Sequence, residues 1–141
     1  MRRIVIGVGN PSRGDDGAGL EVAGRVRSRG SYQVPGGSYE LMDVWEGADD
    51  VIVVDAARSG SAAGTVHRFD ASDQPLPGGV MGTSTHSIGV ADVIEMARCL
   101  GRLPERLVVY GIEAFDVSPG GKITASVRQA VDRVVKEIDG A

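Results

Sequence analysis

The stretch RRIVIGVGNPSRGDDGAG, residues 2–19, starts as an apolar strand and turns through a glycine-rich loop. It then sets two adjacent aspartates where a phosphate-binding loop would need positive charge. Strand, loop and helix in that order open a βαβ unit, and the rest of the chain keeps alternating short apolar strands with helical patterns. Strands are expected at residues 3–8, 32–34, 51–55, 64–69 and 107–112, and helices at 16–28, 39–46, 88–100 and 124–138. VIVVD (51–55) and LVVYGI (107–112) are continuous apolar runs, as in central strands covered on both faces. TVHRF (65–69) alternates, which suits an edge. The last helix is the clearest, with Val127, Val131, Val134 and Ile138 on one face and Thr124 placed to cap it. The pattern gives a three-layer α/β sandwich. Loops at 57–64, 72–85 and 116–121 are rich in Gly, Pro and Ser, but neither an internal repeat nor a linker divides residues 1–141, so a single domain is expected.

At 141 residues the chain can bury a core without disulfides or a structural metal. Cys99 is the single cysteine, expected as a buried, inert thiol in a protein of a reducing compartment. The apolar run after Arg2 and Arg3 is too short for a signal peptide or a membrane span, which points to the cytoplasm. A net charge of −4 with 4% aromatic residues and no basic block gives no footprint for nucleic acid or an anionic membrane.

The opening loop lacks the features of both common phosphate binders. A dinucleotide fingerprint needs a third glycine where Ser12 stands, and a P-loop needs a Gly-Lys-Ser/Thr sequence that is absent. Asp15 and Asp16 at a helix N-terminus compete with a phosphate for the same N–H groups, so the loop suits a cation. One aspartate can cap the helix, leaving the second over. Capping also implies that Asp15→Asn costs up to about 1 kcal/mol. Asp55, ending VIVVD, falls at the ligand edge of an open α/β sheet, and His86 stands in MGTSTHSIG, just before an expected helix and after a run without secondary-structure signal. Taken singly, Asp55 could close the turn through AARSG, and His86 could cap a helix or sit in solvent. Together, two carboxylates and an imidazole from three loops make a mixed oxygen and nitrogen site suited to a borderline divalent metal such as nickel or zinc. His67, the other histidine, is expected as a surface residue.

GVGNPSRGDDGAG, VIVVDAA, STHSIGVADVI, VVYGIE and the closing amphipathic helix, in this order and spacing, resemble the nickel-iron hydrogenase maturation endopeptidases over nearly the whole chain. The resemblance implies a mostly parallel five-stranded sheet with one antiparallel edge strand and helices on both faces. It also implies a single cut that removes the C-terminal extension of a hydrogenase large-subunit precursor after nickel insertion. The second acidic residue of the loop maps onto Asp16, the aspartate ending the third strand onto Asp55, and the histidine of the SxHxxG segment onto His86. By resemblance these three are both the catalytic and the metal-contacting residues. The nickel comes with the precursor and no organic cofactor is needed. The partner is that precursor, not nucleic acid or membrane, and the protein works as a monomer. The chain departs from the family pattern in VPGGS (34–38), where many relatives have an aspartate, and in Ala114 and Phe115, which follow GIE in place of the usual proline. Both loops are expected to help form the groove for the partner. Two other functions compete with this one: a metal-sensing or assembly module of the same fold that cuts nothing, and a phosphate- or nucleotide-binding α/β protein.

Overall fold

The apolar runs form one five-stranded sheet. The computed structural model describes residues 1–36, 38–81 and 89–140. Its strands are β1 (Arg3–Gly9), β2 (Gly30–Pro35), β3 (Asp50–Ala57), β4 (Val66–Asp70) and β5 (Arg106–Glu113), in the order β2-β1-β3-β5-β4. All neighbours are parallel except β4, which runs antiparallel to β5 at the edge. The continuous apolar runs are the interior strands and the alternating run is the edge strand, as their burial on two faces or one requires.

Alternation along the strands builds two cores. Val51 and Val53 of β3 face one side with Ile4, Ile6 and Val109, where α2 (Leu41–Trp45) and α3 (Val90–Leu100) pack. Ile52 and Val54 face the other with Val5, Val108 and Ile112, where α1 (Ala18–Arg25) and α4 (Ala125–Asp139) pack. On α4 the buried residues Val127, Val131, Val134 and Ile138 recur at helical spacing. The chain is therefore a three-layer α/β sandwich with the C-terminal ends of its four parallel strands gathered at one end of the sheet.

The first helix is shorter than its sequence pattern. Residues Gly14–Gly17 form a 3-10 turn, and α1 stops at Arg25 because Val26 turns extended. The backbone N–H groups of Arg27 and Ser28 donate to the Asp139 carboxylate at the end of α4, a tertiary partner that ends the helix. Likewise the helix expected over 39–46 is a 3-10 turn, Ser38–Glu40, followed by the short α2. It stops at Trp45, whose indole Nε1 donates to the Arg102 carbonyl at 2.9 Å. Cys99 is exposed, not buried, because it lies off the apolar face of α3 that carries Val90, Val93, Ile94 and Ala97.

Close packing of α1 on the sheet depends on Gly19. A Cβ there would fall on the Val54 carbonyl oxygen and 2.6 Å from that of Val8, while a Cβ at Gly7 would fall on the Gly19 carbonyl. The close approach of helix to strand thus occurs at Gly19, beyond the place where a dinucleotide fingerprint would put it. Gly19→Ala should lower the unfolding free energy by about 2–3 kcal/mol in urea titration, since both obstacles are backbone. Gly78→Ala, with open space around the added methyl, should change it by less than about 0.5 kcal/mol.

Candidate active site

Asp15 and Asp16 are neighbours in sequence with opposite environments. Asp15 is 0% exposed. Its Oδ2 accepts the backbone N–H groups of Phe115 (2.8 Å) and Asp116 (2.9 Å), and its Oδ1 accepts that of Thr124 (2.7 Å). The Thr124 hydroxyl donates to the same carboxylate. Thr124 does stand at the N-cap of α4, but this hydroxyl is spent on Asp15 and makes no cap hydrogen bond. Asp15 in turn donates its own N–H to the Asp116 carbonyl at 2.8 Å. So Asp15 does more than cap the turn it belongs to. It fastens the β1–α1 loop to the β5–α4 loop.

Asp16 remains half-buried at the mouth of that loop, and its Oδ2 accepts the Asn10 N–H at 3.1 Å. Asp55, near the C-terminal end of the adjacent strand β3, accepts the Ala56 N–H at 2.8 Å. The structure thus brings Asp16 and Asp55 to one crevice. Although Asp55 keeps some accessible surface, its carboxyl is surrounded closely enough to be pushed up to about 7. Desolvation contributes most and the negative charge of Asp16 adds to it, while the Ala56 N–H and Arg58 act in the opposite direction. Two mutually repelling carboxylates at a sheet edge are suited to a divalent cation or a shared proton. Among the described residues no third His, Cys, Asp or Glu completes a metal-binding set. His86, the third expected site residue, lies outside the described residues.

One cluster escaped the sequence reading. Glu113, the last residue of β5, is 3% exposed, and its carboxylate accepts the Ser59 N–H (3.0 Å) and hydroxyl (2.6 Å). His67 Nε2, carrying the proton that a carboxylate partner requires, reaches Glu113 Oε1 at 3.2 Å. Burial would push the Glu113 carboxyl up, but hydrogen bonds from Ser59, His67 and the Ser59 and Gly60 N–H groups hold it below its ordinary range. His67 is therefore a half-buried partner of Glu113 and not a free surface residue. A triad composition of Ser, His and Glu is present without triad geometry, because the Ser59 hydroxyl proton goes to Glu113 and both partners meet the same imidazole nitrogen. The cluster ties the segment following Asp55 to β5 and β4. Its signal in the sequence was an acidic residue ending an apolar strand, the same signal that picked out Asp55.

Two measurements check these environments. Asn at position 15 must turn an amide NH₂ toward N–H donors that a carboxylate satisfied. Asp15→Asn should therefore cost about 1–3 kcal/mol, more than a cap alone, and Asp15→Ala more still, by urea titration. Asp55 binds its proton more tightly in the folded state, so its ionisation lowers stability as pH rises from about 4 through about 7. Metal-free Asp55→Asn should accordingly be more stable than the wild type at pH 8 by roughly 2–4 kcal/mol, with the gain vanishing near pH 4.

Comparison with known proteins agrees with this architecture. The family model described as HycI, hydrogenase maturation protease, matches residues 36–141. The chain is 32% identical to the hydrogenase expression/formation protein HupD of Bradyrhizobium diazoefficiens, covering 98% of this chain and 74% of that one. It is 27% identical to the hydrogenase 2 maturation protease of Escherichia coli, with 98% and 88% covered. In structure it is similar to the [NiFe] hydrogenase maturation protease HybD from Thermococcus kodakarensis, with a TM-score of 0.77 at 22% identity over 99% and 98% of the two chains. With its carboxylate-lined crevice at the C-terminal edge of a five-stranded sheet and a family match over most of its length, the chain belongs to the hydrogenase maturation proteases and is an endopeptidase.

Proposed function

We propose that the protein removes the C-terminal extension of a nickel-iron hydrogenase large-subunit precursor after nickel has been inserted, and that Asp16, Asp55 and His86 read out that nickel. The observation that carries the proposal is the Asp16 and Asp55 pair. Desolvation and the repulsion of Asp16 oppose ionisation of Asp55, and the attraction of an arriving divalent cation offsets both. A nickel-loaded precursor is thereby favoured over an empty one without a resident metal. Three oxygen and nitrogen ligands without a thiolate make a modest site, better matched to sensing than to permanent holding.

Connectivity supports a part for His86. The Arg58 N–H donates to the Val80 carbonyl at 3.2 Å, and the Met81 sulfur lies 2.9 Å from where a Gly111 Cβ would be. Gly111 pairs in register with Asp55. The segment carrying His86 therefore departs from Met81 on the face of the sheet that Asp55 shares, about one strand spacing (~4.8 Å) away. It returns at Gly89, before α3 on that same face. Five residues of extended chain span at most about 18 Å, ample to bring His86 back over the crevice.

Peptide hydrolysis then needs water activated and an amine expelled. Asp16 and Asp55 hold the precursor's nickel, which polarises the scissile carbonyl or the attacking water. A carboxylate oxygen of the pair that is left free of the metal takes the proton from that water and passes it to the departing amine as the peptide bond breaks.

Nickel-loaded and nickel-free precursors, incubated with the protein and followed by mass analysis of the C-terminus, give the test. Only the loaded form should be cut. His86→Ala should keep the wild-type melting temperature and reduce cutting to background, and chelators should leave the melting temperature of the isolated protein unchanged. Efficient cutting of nickel-free precursor, or full activity in His86→Ala, would refute nickel sensing.

A further inference from the structure

We infer that Phe115 is a substrate-specificity residue that seats an apolar side chain of the precursor's peptide close to the bond to be cut; the inference rests on the processing function proposed above. Phe115 is 76% exposed, well above the other aromatic residues with large exposed surfaces, Tyr39 at 61% and Tyr32 at 41%. A lone exposed aromatic is ordinary on a protein surface. What distinguishes this one is its mounting. Its own N–H is held by the buried carboxylate of Asp15 at 2.8 Å, and the flanking Ala114 and Asp116 N–H groups are held by the Ala57 carbonyl (3.0 Å) and by Asp15 (2.9 Å).

The loop that carries Phe115 is further locked onto the loop that carries Asp16. Gly120 donates to the Ser12 carbonyl at 2.7 Å, and Gly14, with φ of +54°, lets the Asp116 carbonyl lie where a Cβ would otherwise stand. Asp15 and Asp16 are consecutive, so their Cα atoms are about 3.8 Å apart. Phe115 is thus tied through Asp15 to the immediate neighbour of a site carboxylate. The Ala114 N–H is bonded to Ala57, two residues beyond Asp55, so the loop carrying Phe115 is bonded beside both site carboxylates, along the stretch that an extended peptide at the crevice would follow. A second copy of this chain has no comparable reason to arrive there, because the locked loops belong to the crevice and not to a helix face or sheet edge.

Preorganisation gives the aromatic its value. Ordering an exposed side chain on a mobile loop offsets much of what its burial contributes, whereas three consecutive anchored N–H groups leave little backbone freedom to lose. Rigid aromatic anchors are the residues whose truncation weakens binding most. An apolar side chain of the peptide is the matching partner, since what a phenyl ring chiefly contributes is apolar area to bury, the cation attraction of its face being the smaller effect at an exposed site.

Steady-state cutting of a nickel-loaded large-subunit precursor by the wild type, Phe115→Ala and Phe115→Leu decides the matter. Phe115→Ala should raise KM by about tenfold and leave kcat within about twofold, and Phe115→Leu should recover most of the loss. Nickel titration and melting temperature should be the same in all three, because the anchoring uses main-chain N–H groups. An unchanged KM in Phe115→Ala, or a loss confined to kcat, overturns the inference while leaving the processing function intact. A wild-type protein that neither binds nor cuts the precursor overturns the processing function, and the inference with it.

Discussion

A buried carboxylate is expensive unless its oxygens are filled, and the arrangement of the crevice follows from how Asp15 meets that condition. Its acceptors draw in donors from Phe115, Asp116 and Thr124, about a hundred residues away in sequence. Once those bonds form, the loop after β1 and the loop after β5 can no longer move independently. The N-terminus of α4 is part of the same knot, so the negative charge also meets the positive end of a helix. Asp16 inherits a fixed starting point from its neighbour, and the site can be spread over loops without being loose.

Four carboxylates at one end of the sheet, Asp15, Asp16, Asp55 and Glu113, show how environment divides one chemistry into separate tasks. Asp15 and Glu113 are almost wholly buried but supplied with donors, and Glu113 is held ionised by Ser59 and His67. Both are consumed as fasteners. Asp55 is desolvated and has a charged neighbour in Asp16, with the Ala56 N–H as its donor among the described residues, and its carboxyl is pushed up to about 7. A carboxyl raised toward neutral pH beside a second carboxylate is chemically suited to exchange a proton or to meet a cation.

The three-layer arrangement explains why these groups meet. Strands β1, β3 and β5 are parallel and adjacent, so their C-terminal ends lie side by side. The loop after β1 leads to α1 on one face, whereas the segment that follows β4 returns through α3 on the other. A crevice opens between departures to opposite faces, as in open α/β sheets generally. Gly19 brings α1 down onto β1 and β3, which keeps the 3-10 turn with Asp16 close to the strand ends and not raised above them.

The sequence by itself determined what depends on local periodicity and on residue type. The continuous runs at 51–55 and 107–112 became interior strands and the alternating run at 65–69 the antiparallel edge, because burial on two faces or one leaves a direct mark on hydrophobicity. An aspartate ending an apolar strand and a second following a glycine loop were legible as site candidates for the same reason. Tertiary structure alone decided the matters that rest on partners distant in the chain. The pattern of the first helix could not show that Asp139 would capture the Arg27 and Ser28 N–H groups and end it early. Nor could composition show that Thr124 would give its hydroxyl to Asp15, that His67 would bind Glu113, or that Cys99 would face solvent. A side chain's partners and burial are properties of the assembled layers, and the chemistry of each carboxylate is fixed only when those layers close around it.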